Sequence, residues 1–181
     1  AEGFVYSRFS NPTVRMFEER MALLEDAEAA AGTASGMAAV TASLMCQLKA
    51  GDHVLGARAL FGSCRYILDE VLPRFGVDVT LVDGPDLDQW RAAARPETVC
   101  AFLESPANPT LEIIDIAAVA DICHGVGARL IVDNVFATPI LQRPLDLGAD
   151  IVMYSATKHI DGQGRCLGGA ILCNSEFRED L

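Results

Sequence analysis

Four runs in this chain are apolar at every position rather than at alternate ones: Val99-Cys100-Ala101-Phe102-Leu103, Leu130-Ile131-Val132, Ile151-Val152-Met153-Tyr154 and Ala170-Ile171-Leu172. A strand with one face in water alternates polar and apolar residues, whereas a short continuous apolar run suits a strand covered on both faces. Helical patterns lie between the runs, over Pro85 to Ala94 and Ile113 to Gly125, and further strands are expected at His53 to Gly56 and Val77 to Val82. The pattern predicts an α/β fold with a mostly parallel sheet flanked by helices. In such sheets ligands bind outside the carboxyl ends of the strands, so the residues that follow each apolar run are where chemistry is expected.

The run from Asp150 to Tyr154 leads straight into Ser155-Ala156-Thr157-Lys158-His159. A lysine delivered to a pocket is partly desolvated, which favours its neutral amine, the form that condenses with an aldehyde. Ser155 and Thr157 add two hydroxyl donors suited to a phosphate ester. The set suggests pyridoxal phosphate, with an ordinary surface lysine as the alternative. Asp133 ends another apolar run, and a carboxylate there is costly unless it meets a cation such as a pyridinium nitrogen or serves as a helix cap. Gly36 and Met37 open a small-residue helix whose backbone N–H groups can approach an anion. Phe61 follows the His53 strand and can stack on a flat ring or join the core. Asn108 lies between Pro106 and Pro109, which hold its backbone. Asn11 and Pro12 form a strong helix start, placing Val14, Phe17, Met21 and Leu24 at helical spacing. The arm before them carries Tyr6 and Arg8.

With 181 residues, 51% of them hydrophobic, the chain has material for one large core. Its net charge of -11 argues against nucleic acid or an anionic membrane as partner. Six cysteines contain no C-x-x-C pair and three histidines are scattered, which argues against zinc. Cysteines in apolar runs pack as reduced thiols, so a cytoplasmic setting is expected. There is no signal-peptide pattern, and no apolar run approaches the roughly 20 residues of a membrane helix. The chain opens Ala1-Glu2-Gly3 without an initiator methionine and stops at Leu181 soon after a strand, which either processing or a missing region would explain.

Tyr6-Ser7-Arg8 with Asn11-Pro12-Thr13, Ser35-Gly36-Met37, Glu104-Ser105-Pro106-Ala107-Asn108-Pro109, Val132-Asp133-Asn134 and Ser155-Ala156-Thr157-Lys158 together resemble the pyridoxal-phosphate enzymes of cysteine and methionine metabolism. Order and separation match along nearly the whole chain. The resemblance implies a PLP-dependent transferase-like fold, the large domain of the aspartate aminotransferase type, with pyridoxal 5'-phosphate as cofactor. It implies that Lys158 is the catalytic residue and carries the cofactor covalently, and that Asp133 pairs with the pyridine nitrogen. Gly36 and Met37 N–H groups and the Ser155 and Thr157 hydroxyls would bind the phosphate. Phe61 would lie over the ring, and Asn108 near the phenolic oxygen and an amino-acid substrate. Tyr6 and Arg8 would reach the phosphate of a neighbouring subunit, in a homo-oligomer built as a dimer of dimers. Residues 1–30 would then serve the neighbour and 31–181 would form the cofactor domain. The family's smaller C-terminal domain supplies an arginine for the substrate carboxylate, so weak or no turnover is expected without it.

Two departures narrow the expectation. Phe61 stands where substrate-cleaving members carry tyrosine, and Ile160-Asp161-Gly162-Gln163-Gly164-Arg165 stands where lyases show Gly-His-x-Asp. With Leu60 to Cys64, these resemble the branch that replaces the succinyloxy group of O-succinylhomoserine by sulfide, giving homocysteine and succinate. Alternatives are the branch that uses cysteine as nucleophile, a γ-lyase, and a non-catalytic cofactor-binding or oligomerisation module.

Overall fold

The first helix, α1 (Pro12–Glu25), starts where the sequence predicts: the Asn11 side chain accepts the N–H groups of Thr13 and Val14. In the computed structural model, residues 3–7 and 9–181 are described. Seven strands follow one another as β1 (Ala29–Thr33), β2 (His53–Ala57), β3 (Asp78–Val82), β4 (Thr98–Glu104), β5 (Arg129–Asp133), β6 (Ile151–Ser155) and β7 (Gly169–Cys173). They form a single sheet in the order β1-β7-β6-β5-β4-β2-β3. The pairs β2/β3, β2/β4, β4/β5 and β5/β6 are parallel, and β7 runs antiparallel to β6 and β1. The central strands are buried along almost their whole length, which is why their sequences are continuously apolar.

The helices are α2 (Gly36–Met45), α3 (Gly62–Tyr66), α4 (Leu87–Ala93), α5 (Ile116–His124), α6 (Thr138–Leu141) and α7 (Ser175–Asp180). After α3 the backbone stays helical but widens to π turns over Ile67–Val71, then tightens to 3₁₀ turns over Leu72–Phe75. Pro73 lacks the N–H that a continuing helix needs. Helix α2 packs on β6 and β7, and α5 packs on β5 and against α4. No helix among the described residues is long and apolar enough to cross a membrane.

Two elements depart from the pattern. Strand β1 has the sequence Ala-Ala-Ala-Gly-Thr, without β-branched or aromatic residues before its end; pairing with β7, not propensity, makes it a strand. In α1 the predicted apolar stripe is only partly buried: Met21 is 2% exposed, yet Val14 and Leu24 are 44% and 45% exposed. The fully buried position beside Met21 belongs to a carboxylate, Glu25. Its Oε2 accepts the Tyr154 hydroxyl at 2.5 Å, and Asn134 Nδ2 donates to that hydroxyl at 2.5 Å. Asn134 also exchanges hydrogen bonds with Gln142, and Gln142 Nε2 reaches the Ser105 carbonyl at 2.7 Å. The network thus joins α1 to the carboxyl ends of β4, β5 and β6.

Candidate active site

Parallel pairing places Glu104 beside Asp133 and Asp133 beside Met153, and antiparallel pairing sets Ser155 beside Gly169. Because side chains alternate along a strand, Met153 and Ser155 face one side of the sheet while Tyr154 turns to the Glu25 side. That division leaves Glu104, Asp133, Met153 and Ser155 on the floor of a cavity of about 530 Å3. Its walls include Gly36, Met37, Phe61, Asn108, Thr157 and Lys158, so eight of the ten sequence-predicted site residues meet in one place. Tyr6 lies elsewhere, on an exposed arm with its ring tilted against Phe9 at 5.5 Å between centroids. Arg8 lies outside the described residues.

Helix α2 brings its N-terminus to one end of the cavity. Ser35 caps it by accepting the Ala38 N–H at 3.1 Å, which leaves the N–H groups of Gly36 and Met37 without an acceptor among the described residues. The helix dipole adds partial positive charge there. A Cβ on Gly36 would fall 2.5 Å from the Ser155 Cβ and 2.9 Å from its Cα, so only glycine lets α2 sit this close to the end of β6. The Ser155 hydroxyl has no partner among the described residues and borders those N–H groups. Thr157 differs from expectation: its hydroxyl accepts the Gly168 N–H at 3.1 Å and lies 3.3 Å from the Gly168 carbonyl, so it closes the loop that leads to β7.

At the other end, Asp133 is 5% exposed, and its one hydrogen bond among the described residues comes from the Val135 N–H to Oδ1 at 3.0 Å. Burial first, then the charge of Glu104, pushes its carboxyl up to about 7. Such a group gains most from a cation placed in the cavity. Glu104, 4% exposed, is also raised by burial, against the two backbone N–H groups it accepts. Sequence reasoning passed over Glu104, although it ends the Val99 to Leu103 run just as Asp133 ends Leu130 to Val132.

The remaining walls contain further differences. Phe61 is no core residue: it is 44% exposed and presents its ring to the cavity. Asn108 is exposed with its backbone N–H tied to Glu104, in a turn whose Ser105–Pro106 and Asn108–Pro109 peptides are cis. Lys158 is exposed rather than desolvated, because it sits in the turn that begins after Ser155. Its amine makes no hydrogen bond or ion pair with a described residue. His159 and Phe136, which the sequence did not single out, also line the cavity and meet edge to face at 6.5 Å. Cys64 lines it too, but burial and the two carboxylates push its thiol far above the reactive range. Cys166 is exposed, with its thiol on Asp161 Oδ1 at 3.4 Å.

The donor set therefore has unpaired N–H and hydroxyl groups for an anion at one end, a buried carboxylate for a cation at the other, and a flat aromatic face and a primary amine along the side. Pyridoxal phosphate, an aldehyde with a phosphate ester and a basic ring nitrogen, matches all four features.

The model of the Cys/Met metabolism PLP-dependent enzyme family matches residues 1–180. An O-succinylhomoserine sulfhydrylase from Mycobacterium tuberculosis is 56% identical over 174 residues, covering 96% of this chain and 43% of that protein. An L-methionine gamma-lyase from Treponema denticola is 44% identical over 182 residues, covering 99% of this chain and 45% of that protein. The crystal structure of metB from Corynebacterium glutamicum superposes with a TM-score of 0.96 at 39% identity, over 99% of this chain and 47% of that one. The chain thus spans less than half the length of the curated relatives it matches. With the sheet order, the cavity and the matched model in agreement, the chain belongs to the PLP-dependent enzymes of Cys/Met metabolism.

Proposed function

We propose that this chain is the cofactor-binding part of an O-succinylhomoserine sulfhydrylase, which replaces the succinyloxy group of O-succinylhomoserine by sulfide and releases homocysteine and succinate. The observation that carries the reading is the meeting of Lys158, Asp133 and the open N-terminus of α2 in one cavity. Higher identity to a relative bearing that name than to one named a gamma-lyase supports this branch, as does Phe61, which puts no phenolic acid over the cavity.

In this reading Lys158 holds the cofactor covalently, Gly36, Met37 and Ser155 hold its phosphate, and Phe61 packs against the ring. When bound, pyridoxal phosphate supplies an electron sink that makes the substrate's Cα and Cβ protons labile. Asp133 keeps a proton on the ring nitrogen through charge pairing. The Lys158 amine carries the proton between Cα and Cβ of the substrate, and its exposed, unpaired position gives it the freedom to do so. Asn108 borders the amino-acid substrate. Thr157 supports the phosphate site by holding the loop that ends at Gly168. The exposed arm, with Tyr6 outside its own chain's cavity, favours a homo-oligomer in which residues 1–30 complete a neighbour's site while 31–181 form the cofactor domain. The substrate-carboxylate cation then comes from a further domain of the whole enzyme, and the acidic, cysteine-containing chain suits the cytoplasm.

The test is reduction of the pyridoxal-phosphate-loaded protein with borohydride, followed by mass analysis. The expected tag is on the Lys158 peptide, absent in Lys158→Ala. An untagged Lys158 in a protein that binds the cofactor overturns the assignment. Comparing sulfide with cysteine as nucleophile in the whole enzyme separates the sulfhydrylase from the cystathionine-forming branch. Release of a keto acid without either nucleophile would instead support a lyase.

A further inference from the structure

We propose that Glu104 is a positioning residue for this cavity: one buried carboxylate that fixes the aromatic wall at Phe61 and the turn at Asn108 relative to Asp133. The inference rests on the cavity's reading as the cofactor site and names a residue for its geometry. Glu104 closes β4, where strand pairing sets it directly beside Asp133. Its Oε2 accepts the Phe61 N–H at 2.7 Å and its Oε1 accepts the Asn108 N–H at 3.1 Å. The two donors lie 43 residues before and 4 residues after the carboxylate, so local sequence does not hold them together. Phe61 precedes the first turn of α3, which has no side-chain cap, and its own N–H is taken by Glu104 at the end of β4. The Phe61 and Asn108 side chains make no hydrogen bond to a described residue, so their place in the wall depends on the backbone that Glu104 holds. Hydrogen bonds to a buried charge are among the stronger ones, and both oxygens of this carboxylate are used.

Three substitutions separate the clamp from the charge. Glu104→Ala releases both N–H groups, Glu104→Gln keeps one acceptor and removes the charge, and Glu104→Asp keeps the charge but shortens the reach. Amide hydrogen exchange is followed at Phe61 and Asn108, with the Val132 amide in the core as the internal reference for global opening. Relative to Val132, exchange at both sites is expected to accelerate about tenfold or more in Glu104→Ala and at one or both in Glu104→Asp. Should Glu104→Ala not fold, Glu104→Gln carries the test, with acceleration expected at one of the two sites. In the loaded protein, release of pyridoxal phosphate is expected to speed up in the same order, an effect that a remote packing defect would not produce. Unchanged relative exchange at both amides overturns the proposal. A wild-type chain that takes up no pyridoxal phosphate would defeat the cofactor reading alone, since the clamp is judged on the amides.

Discussion

The Glu25 carboxylate lies in the core with one oxygen on the Tyr154 hydroxyl and the other, Oε1, without a partner among the described residues. Burial pushes it up from 4.5 to about 7, against the Tyr154 hydrogen bond and Arg143, with Asp146 adding to the rise. A carboxyl raised in this way stabilises the fold while protonated and loses that contribution as pH climbs through its folded value. Its stabilisation is therefore complete below pH 4.5 and gone above about 7. At roughly 1.4 kcal/mol per pKa unit, the rise from 4.5 to about 7 corresponds to about 3 kcal/mol. Glu25→Gln keeps the acceptor for Tyr154 and cannot ionise. The assay is urea unfolding between pH 4.5 and 8, followed by fluorescence of the single tryptophan, Trp90, which is fully buried. The stability of Glu25→Gln relative to wild type should rise by about 3 kcal/mol across that range. Asp133 also titrates near 7, but it is common to both proteins and cancels in the difference. A difference that stays constant with pH would refute the assignment of this proton to Glu25.

Gly36→Ala forces a methyl group onto the Ser155 backbone, and overpacking of that kind costs about 1–3 kcal/mol. The denaturation midpoint should fall, and affinity for pyridoxal phosphate, read by absorbance titration, should fall with it; unchanged affinity would show that α2's close approach to β6 is dispensable. Asp133→Ala should retain part of the cofactor binding while deuterium exchange at the substrate's Cα in the whole enzyme drops roughly hundredfold. An unaltered exchange rate would remove Asp133 from its role.

Much of the site was legible because its parts sit at recognisable punctuation. Asp133 and Lys158 follow apolar runs, Gly36 opens a helix of small residues, and Asn11-Pro12 starts another. Glu104 stood at the same kind of position, but its two backbone donors are invisible without the folded chain. His159 and Phe136 were equally hidden: nothing in their neighbours' types predicts that a turn and a loop bring the two rings together. The apolar spacing of α1 also misled, since spacing reports where side chains lie around a helix and not what covers them.

The order of continuous apolar runs and helical segments determined the layered α/β architecture, because strands buried on both faces admit few other residues. The turn chemistry at run ends determined which groups reach the sheet's carboxyl edge. Tertiary structure alone decided that β1, made mostly of alanine, joins the sheet, that Glu25 takes a core position against Tyr154, and that Lys158 remains in water. Those outcomes depend on pairing partners far away in sequence, and the energy of a strand pair, a buried carboxyl or an exposed amine belongs to its surroundings rather than to the residue.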